Sequence, residues 1–193
     1  MASTINSDNG VVSGSSGLKS TADTSGVLAL QSNGSTGITL STDLSSTFAG
    51  KVVAIGTSSI AGMKIADVLE TATISATAAT GTIAYDVTTQ AVLYYTSNAS
   101  ANWTVNFRGS SGTSLNTLMA TGESLTVAFF VTQGSTAYYN NVVQVDGSTV
   151  TPKYQGGTAW SSGNASSIDA YTYTIIKTGN AAFTVFAAQT KFA

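Results

Sequence analysis

The chain of 193 residues contains no cysteine and no histidine, a single proline, and charged side chains at only 8% of its positions. Without cysteine there is neither a disulfide nor a thiolate metal site. Without histidine the commonest general base and the commonest metal ligand are missing. Seven Lys plus Arg stand against nine Asp plus Glu, with no basic cluster of the kind that neutralises phosphates, which argues against nucleic acid as a partner. No run approaches the roughly 18 apolar residues that a membrane span needs. The polar opening from Met1 to Gly10 has neither the basic nor the apolar region of a signal peptide. The expectation is a protein made in a cytoplasm, without membrane or nucleic-acid partners and without a cofactor.

Ser, Thr, Gly, Ala and Asn dominate instead, hydrophobic residues reach 42%, and the net charge is −2 with a mean hydropathy of +0.20. Disordered chains combine low hydrophobicity with high net charge, so this composition is a folding one. Charge is about a third of the usual ~25% share. Eight tyrosines and seven phenylalanines on so uncharged a chain suit a β-rich subunit packed against copies of itself, since a free monomer calls for more surface charge.

The densest strand and turn signals lie between Gly122 and Gly157. Leu125, Val127, Phe129 and Val131 alternate with Thr126, Ala128 and Phe130, the period of a strand with one face in a core. Val143 and Val145 repeat the pattern, Asp146-Gly147 supplies a hairpin turn, and Thr149 to Thr151 lead back. Pro152 cannot donate to a sheet ladder and belongs at a strand end or edge. Before this stretch, Thr82 to Asp86, Ala91 to Thr96 and Trp103 to Arg108 read as short strands with turns between them. After it, Tyr171 to Ile175 and Phe183 to Ala188 do the same, around a turn at Lys177 to Asn180. Thr113 to Thr121 is the best helix candidate, and Met63 to Ser75 reads as strand in preference to helix. Strands spaced by about eight to twelve residues predict an all-β fold, an antiparallel β-sandwich or jelly roll, over residues 61–193.

Residues 1–60 have a different texture, with glycines punctuating short apolar pieces. Val27 to Leu30 and Ile38 to Leu40, around Asn33-Gly34, read as strand, tight turn, strand. Residues 45–62 look like a joint. Val27, Leu28, Leu30, Ile38 and Leu40 mark an extended assembly arm ordered by neighbouring subunits, because these aliphatics would otherwise be exposed. A flexible linker is the alternative.

The pieces Asn102 to Gly109, Leu115 to Met119, Val127 to Thr132, Val150 to Gly157 and Tyr173 to Thr178 together resemble a module of structural proteins from tailed phages, especially those infecting marine cyanobacteria. Gly17 to Asp23 with Gly26 to Gln31 is similar to a piece that recurs near the beginning of phage fibre and virion proteins. The resemblance implies a non-enzymatic virion component, a capsid decoration or short tail-fibre element in a multi-copy assembly. Its partners would be copies of itself, as a trimer, and other virion proteins. It brings no catalytic residue set.

Among individual residues, Trp160, Tyr154, Tyr138 and Tyr139 sit in or beside polar loops. Two readings stand for them: plugs of the core or of a subunit contact, or rings that stack on a host surface glycan, making the chain a carbohydrate-binding module at a fibre tip. Arg108, the only arginine, suits an ion pair with a neighbouring strand or subunit. Asp86, Glu123, Asp146 and Asp169 read as turn or edge positions. The chemical alternatives are a glycan-cleaving pair, as in a tailspike, and a calcium site built from Asp146 and Asp169.

Overall fold

The computed structural model describes residues 27–32, 35–49, 52 and 67–193, and the chain divides into two units, Met1–Lys64 and Ile65–Ala193. In the first unit, β1 (Leu28–Ser32), β2 (Ser35–Leu40) and β3 (Ser46–Phe48) form an antiparallel three-stranded sheet in that order. Leu28 lies opposite Leu40, Leu30 opposite Ile38, and Ile38 opposite Phe48, so the period of two gathers these aliphatics on one face. The expected strand pair is present, while its Asn33-Gly34 turn lies outside the described residues. Sequence reading missed β3, which falls in the supposed joint.

In the second unit consecutive strands alternate between two sheets. The strands β4 (Ala72–Ala78), β6 (Val92–Ser97) and β8 (Ser124–Thr132) belong to one sheet, while β5 (Gly81–Asp86), β7 (Trp103–Arg108) and β9 (Asn140–Val145) belong to the other. Within each set the strands are parallel: β4 pairs with β6 and β6 with β8, β5 with β7 and β7 with β9. The result is three stacked rungs, each a strand, an arch and a strand. A one-turn helix α1 (Leu115–Leu118) falls within the helix expected over 113–121, on the crossing from β7 to β8.

The remaining strands close the stack. β10 (Ser148–Val150) forms a hairpin with β9 through Asp146 and Gly147, both at positive φ as the two-residue turn demands. β11 (Lys153–Tyr154), which follows Pro152, pairs in parallel with β13 (Ala182–Phe192). β12 (Ile168–Gly179) is antiparallel to both β13 and β8. The second unit thus has a four-stranded sheet, β10-β9-β7-β5, and a six-stranded sheet, β11-β13-β12-β8-β6-β4.

The all-β expectation therefore stands, but its antiparallel form does not, because both sheets of this unit are mixed. A short connection is the reason. Only Ala79 and Thr80 separate β4 from β5, a hairpin length, yet Ala79 is wholly buried and the chain crosses to the opposite sheet. Gly81, at φ +61, provides the left-handed residue of that arch. Parallel neighbours normally need a long crossover, and here the strand in the other sheet serves as that crossover. The turn expected at Lys177 to Asn180 is also displaced, since β12 continues to Gly179 and Lys177 is buried inside it.

The two sheets meet over an aromatic core. Trp103 of one sheet sits edge-on to Phe129 and Tyr171 of the other, with ring centroids 6.1 and 5.6 Å apart, and Phe107 lies 4.9 Å from Tyr173. Such tilted pairs add roughly 0.5–1.5 kcal/mol each beyond the area they bury. The Tyr85 hydroxyl donates to the carbonyls of Ala91 (2.6 Å) and Ala128 (3.1 Å), tying the first rung to the second and third.

Candidate functional site

The aromatic residues singled out from sequence gather at one margin of the core. Trp160 stands edge-on to Tyr154 (4.8 Å) and tilted against Tyr171 (5.2 Å), and its indole Nε1 donates to the Asn140 carbonyl. Tyr154, Trp160 and Tyr138 are each half-buried and packed on the core cluster. Tyr139 lies nearby with its amide donating to Asn102 Oδ1 at 3.0 Å. Burial pushes the Tyr154 hydroxyl above its ordinary range, and it holds those of Tyr171 and Tyr173 higher still.

A buried carboxylate fixes this arrangement. Asp169 is fully enclosed and accepts from Gln133 Nε2 (3.1 Å), the Asn164 amide (3.1 Å) and Asn164 Nδ2 (2.5 Å). Gln133 in turn bonds both backbone groups of Tyr138. Gly163 passes so near that an added Cβ would lie 2.0 Å from the Tyr138 carbonyl oxygen and 2.8 Å from the Asp169 carboxylate. The loop carrying Trp160 is thus strapped across the end of the core. Sequence reading found Trp160 and Asp169 but not Gln133, Asn164 or Gly163, and spacing alone carries no sign of that network.

The other acidic residues have separate duties. Asp146 accepts from the amides of Leu115 (2.6 Å) and Asn116 (2.9 Å), opening the single turn of α1. Glu123 accepts from the Ala120 amide at 2.8 Å. Asp86 lies opposite Arg108 across β5 and β7, and Arg108 Nε reaches Asp86 Oδ1 at 2.5 Å. That hydrogen bond raises the guanidinium's already high pKa. The Asp146 amide bonds Phe107 at one end of β7, whereas Asp169 pairs with Val131 beyond the other end, so the proposed calcium pair is not brought together. Among the described residues no group of three or more Asp and Glu side chains could hold a metal.

The largest feature suited to recognition is a surface that no single residue announces. Along β12 the inward positions Asp169, Tyr171, Tyr173, Ile175 and Lys177 are buried, so the alternate side chains face outward. Following the register across the six-stranded sheet, Ile74 lies opposite Tyr94, Tyr94 opposite Phe130, and Phe130 opposite Ala170. A second row runs Ala72, Val92, Ala128, Thr172 and Ala188. Every outward residue of β4, β6, β8, β12 and β13 is Ala, Val, Ile, Phe, Tyr, Ser or Thr. Lys153, on the two-residue β11, is the single charge on this face among the described residues.

Large apolar side chains are left open there. Ile74 is 69% exposed, Phe192 54% and Phe186 47%. Ile74, Tyr94, Phe130, Ile168 and Phe192, with Ala72 and Val92, line a depression of about 410 Å³ that is almost wholly apolar. The five strands β4, β6, β8, β12 and β13, whose charged residues all lie at inward positions, span about 700 Å² at standard strand spacing and rise. Stable protein interfaces cover roughly 800 Å² per partner, and monomers rarely expose contiguous apolar patches above a few hundred Å².

No family model, curated protein or solved structure matches the chain. No helix among the described residues is long and apolar enough to cross a membrane.

Proposed function

We propose that the chain is a non-enzymatic, self-assembling structural subunit of a phage virion, whose body is a β-sandwich that assembles through the outer face of its six-stranded sheet. The observation that carries this reading is the outer face of β4, β6, β8, β12 and β13, which turns no charged side chain outward and leaves large apolar ones open. Covering those five strands removes no ion from water while Lys153, at the β11 margin, keeps its ammonium in solvent, and burying Ile74, Phe130 and Phe192 favours association. Many such contacts combine through multivalency in an assembly. The aliphatic face of the β1–β3 sheet is the second assembly element and docks the subunit on another virion protein. The resemblance of the body segments to phage structural modules supports the virion setting, and within it our reading is a capsid decoration or short tail-fibre element in trimeric form.

The alternative, glycan recognition at a fibre tip, would use the small groove beside Trp160, about 210 Å³ and lined in part by Gln155, Thr158 and Gln189. It is the weaker reading because Trp160 spends its ring on Tyr154 and Tyr171 and its N–H on Asn140.

Light scattering over a concentration series, on the full chain and on a chain lacking residues 1–50, tests the assembly reading. A stable oligomer that loosens when the first unit's strands are removed supports it. Monomers in both cases contradict it, and glycan-array binding abolished by Trp160→Ala would then establish the alternative.

A further inference from the structure

The first rung of the stack has no strand neighbour on its outer side among the described residues. Among the described residues β4 pairs only with β6 and β5 only with β7. Because Ala79 and Thr80 alone join β4 to β5, these two free edges lie at the same end of the body, one in each sheet. The Val92 amide donates to the Thr71 carbonyl, and backbone groups alternate sides along a strand, so the amides of Ala72 and Ile74 point away from β6 toward the open edge. β4 is exposed along nearly its whole length.

Edges left open in monomers are usually guarded by charge, proline or short length. The opposite end of this body follows that rule, with a three-residue β10, a two-residue β11 and Pro152 between them. The β4–β5 end does not. From Ala72 to Tyr85 there is neither a charged residue nor a proline, and Asp86 is engaged by Arg108. The bulge between Ser75 and Ala78 leaves the Ala72 to Ser75 half of β4 regular.

We propose that the β4–β5 end is a docking surface for a second copy of this chain, related by a two-fold axis normal to the sheets. Such an axis sets β4 antiparallel to its mate and β5 antiparallel to its mate in one step, so both sheets continue into the partner. A lone extended peptide would satisfy one edge and leave the other open. Like meets like across a two-fold, so a self-complementary edge must be free of uncompensated charge, as this one is. The guarded opposite end stops the contact from propagating, so it joins copies two by two and not into a fibre, and on a trimeric subunit assembly it joins two trimers. This contact rests on the self-assembly reading but uses different residues from the apolar face.

The test is light scattering combined with amide hydrogen exchange on the full chain over a concentration series. Ala72→Pro removes an edge amide that is not used by the β6 ladder, and Ala76→Lys guards the edge without a backbone change. The expected result is slowed exchange at Ala72 and Ile74 as wild type associates, with particle mass halved in both variants, protection of Ile74 lost in both, and protection of Ala72 lost in Ala76→Lys. Unchanged mass and protection in folded variants overturn the edge contact. If Phe130→Glu lowers the mass in that same case, the face reading survives. A wild-type chain that is monomeric throughout overturns both. Protection already complete in a monomer would mean that another segment of the same chain occupies the edge, and would also overturn the pairing.

Discussion

The two outer faces of the body are built by one alternating pattern and differ in what they offer. On the four-stranded sheet the outward residues include Asp86, Arg108, Asn106 and Gln144, and the first three are engaged: Arg108 pairs with Asp86, and Asn106 Oδ1 accepts from the Gly147 amide at 2.8 Å. On the six-stranded sheet the same positions hold Ile74, Tyr94, Phe130 and Phe192. The first face is satisfied with water beside it. The second gains by leaving water, and on the proposed reading it is the side that assembles while the polar side stays in solvent.

The core beneath both faces sets the scale of the largest effect. Phe129 and Phe130 are sequence neighbours on β8, one fully buried and the other facing outward. Phe129→Ala is expected to cost the fold about 3–5 kcal/mol, independent of protein concentration, in chemical denaturation. Phe130→Ala should leave monomer stability within about 1 kcal/mol while raising the dissociation constant of the assembly by roughly 10–100-fold, the scale of an interface anchor. If the two changes have matching effects on folding and on assembly, the inward and outward assignment is wrong.

Alkaline pH attacks the core in the same way whichever face is altered. Tyr171 and Tyr173 are held protonated by burial above the ordinary tyrosine value near 10. Their contribution is fully present below about pH 10 and is lost as pH rises, because the unfolded chain releases protons that the folded chain retains. The expected slope approaches about 1.4 kcal/mol per pH unit for each ring. Stability that stays flat between pH 9 and 11 would contradict it. The smallest effect belongs to the polar face: Arg108→Ala should shift the thermal midpoint by no more than about a few degrees and leave the particle mass unaltered.

The longer strands of the second unit were legible in the sequence because they alternate: Leu125 to Val131 and Tyr171 to Ile175 fix which side is buried without further information, whereas the three-residue β3 and two-residue β11 are too short to show a period. Their assignment to sheets was not. A two-residue link such as Ala79-Thr80 serves a hairpin or an arch equally well, and only the burial of Ala79 between the layers separates the two. The outward set Thr126, Ala128 and Phe130 was visible one strand at a time, but its continuity with Ile74, Tyr94 and Phe192 depends on pairings between distant segments. Lys177 shows the same limit. It lies inside β12, where its Nζ donates to the carbonyls of Asn116 (2.6 Å) and Met119 (2.8 Å), partners 61 and 58 residues away.

Adding one negative charge to each outer face in turn tests the division between them most directly. Phe130→Glu places the charge on the six-stranded sheet and Thr104→Glu places it on the four-stranded sheet, and light scattering of the two full-length variants beside wild type reads the outcome. The account predicts that Phe130→Glu dissociates the assembly, weakening it at least ~100-fold because an unpaired charge would be buried, while Thr104→Glu keeps the wild-type mass. Equal masses for all three chains, or dissociation by Thr104→Glu alone, would contradict it.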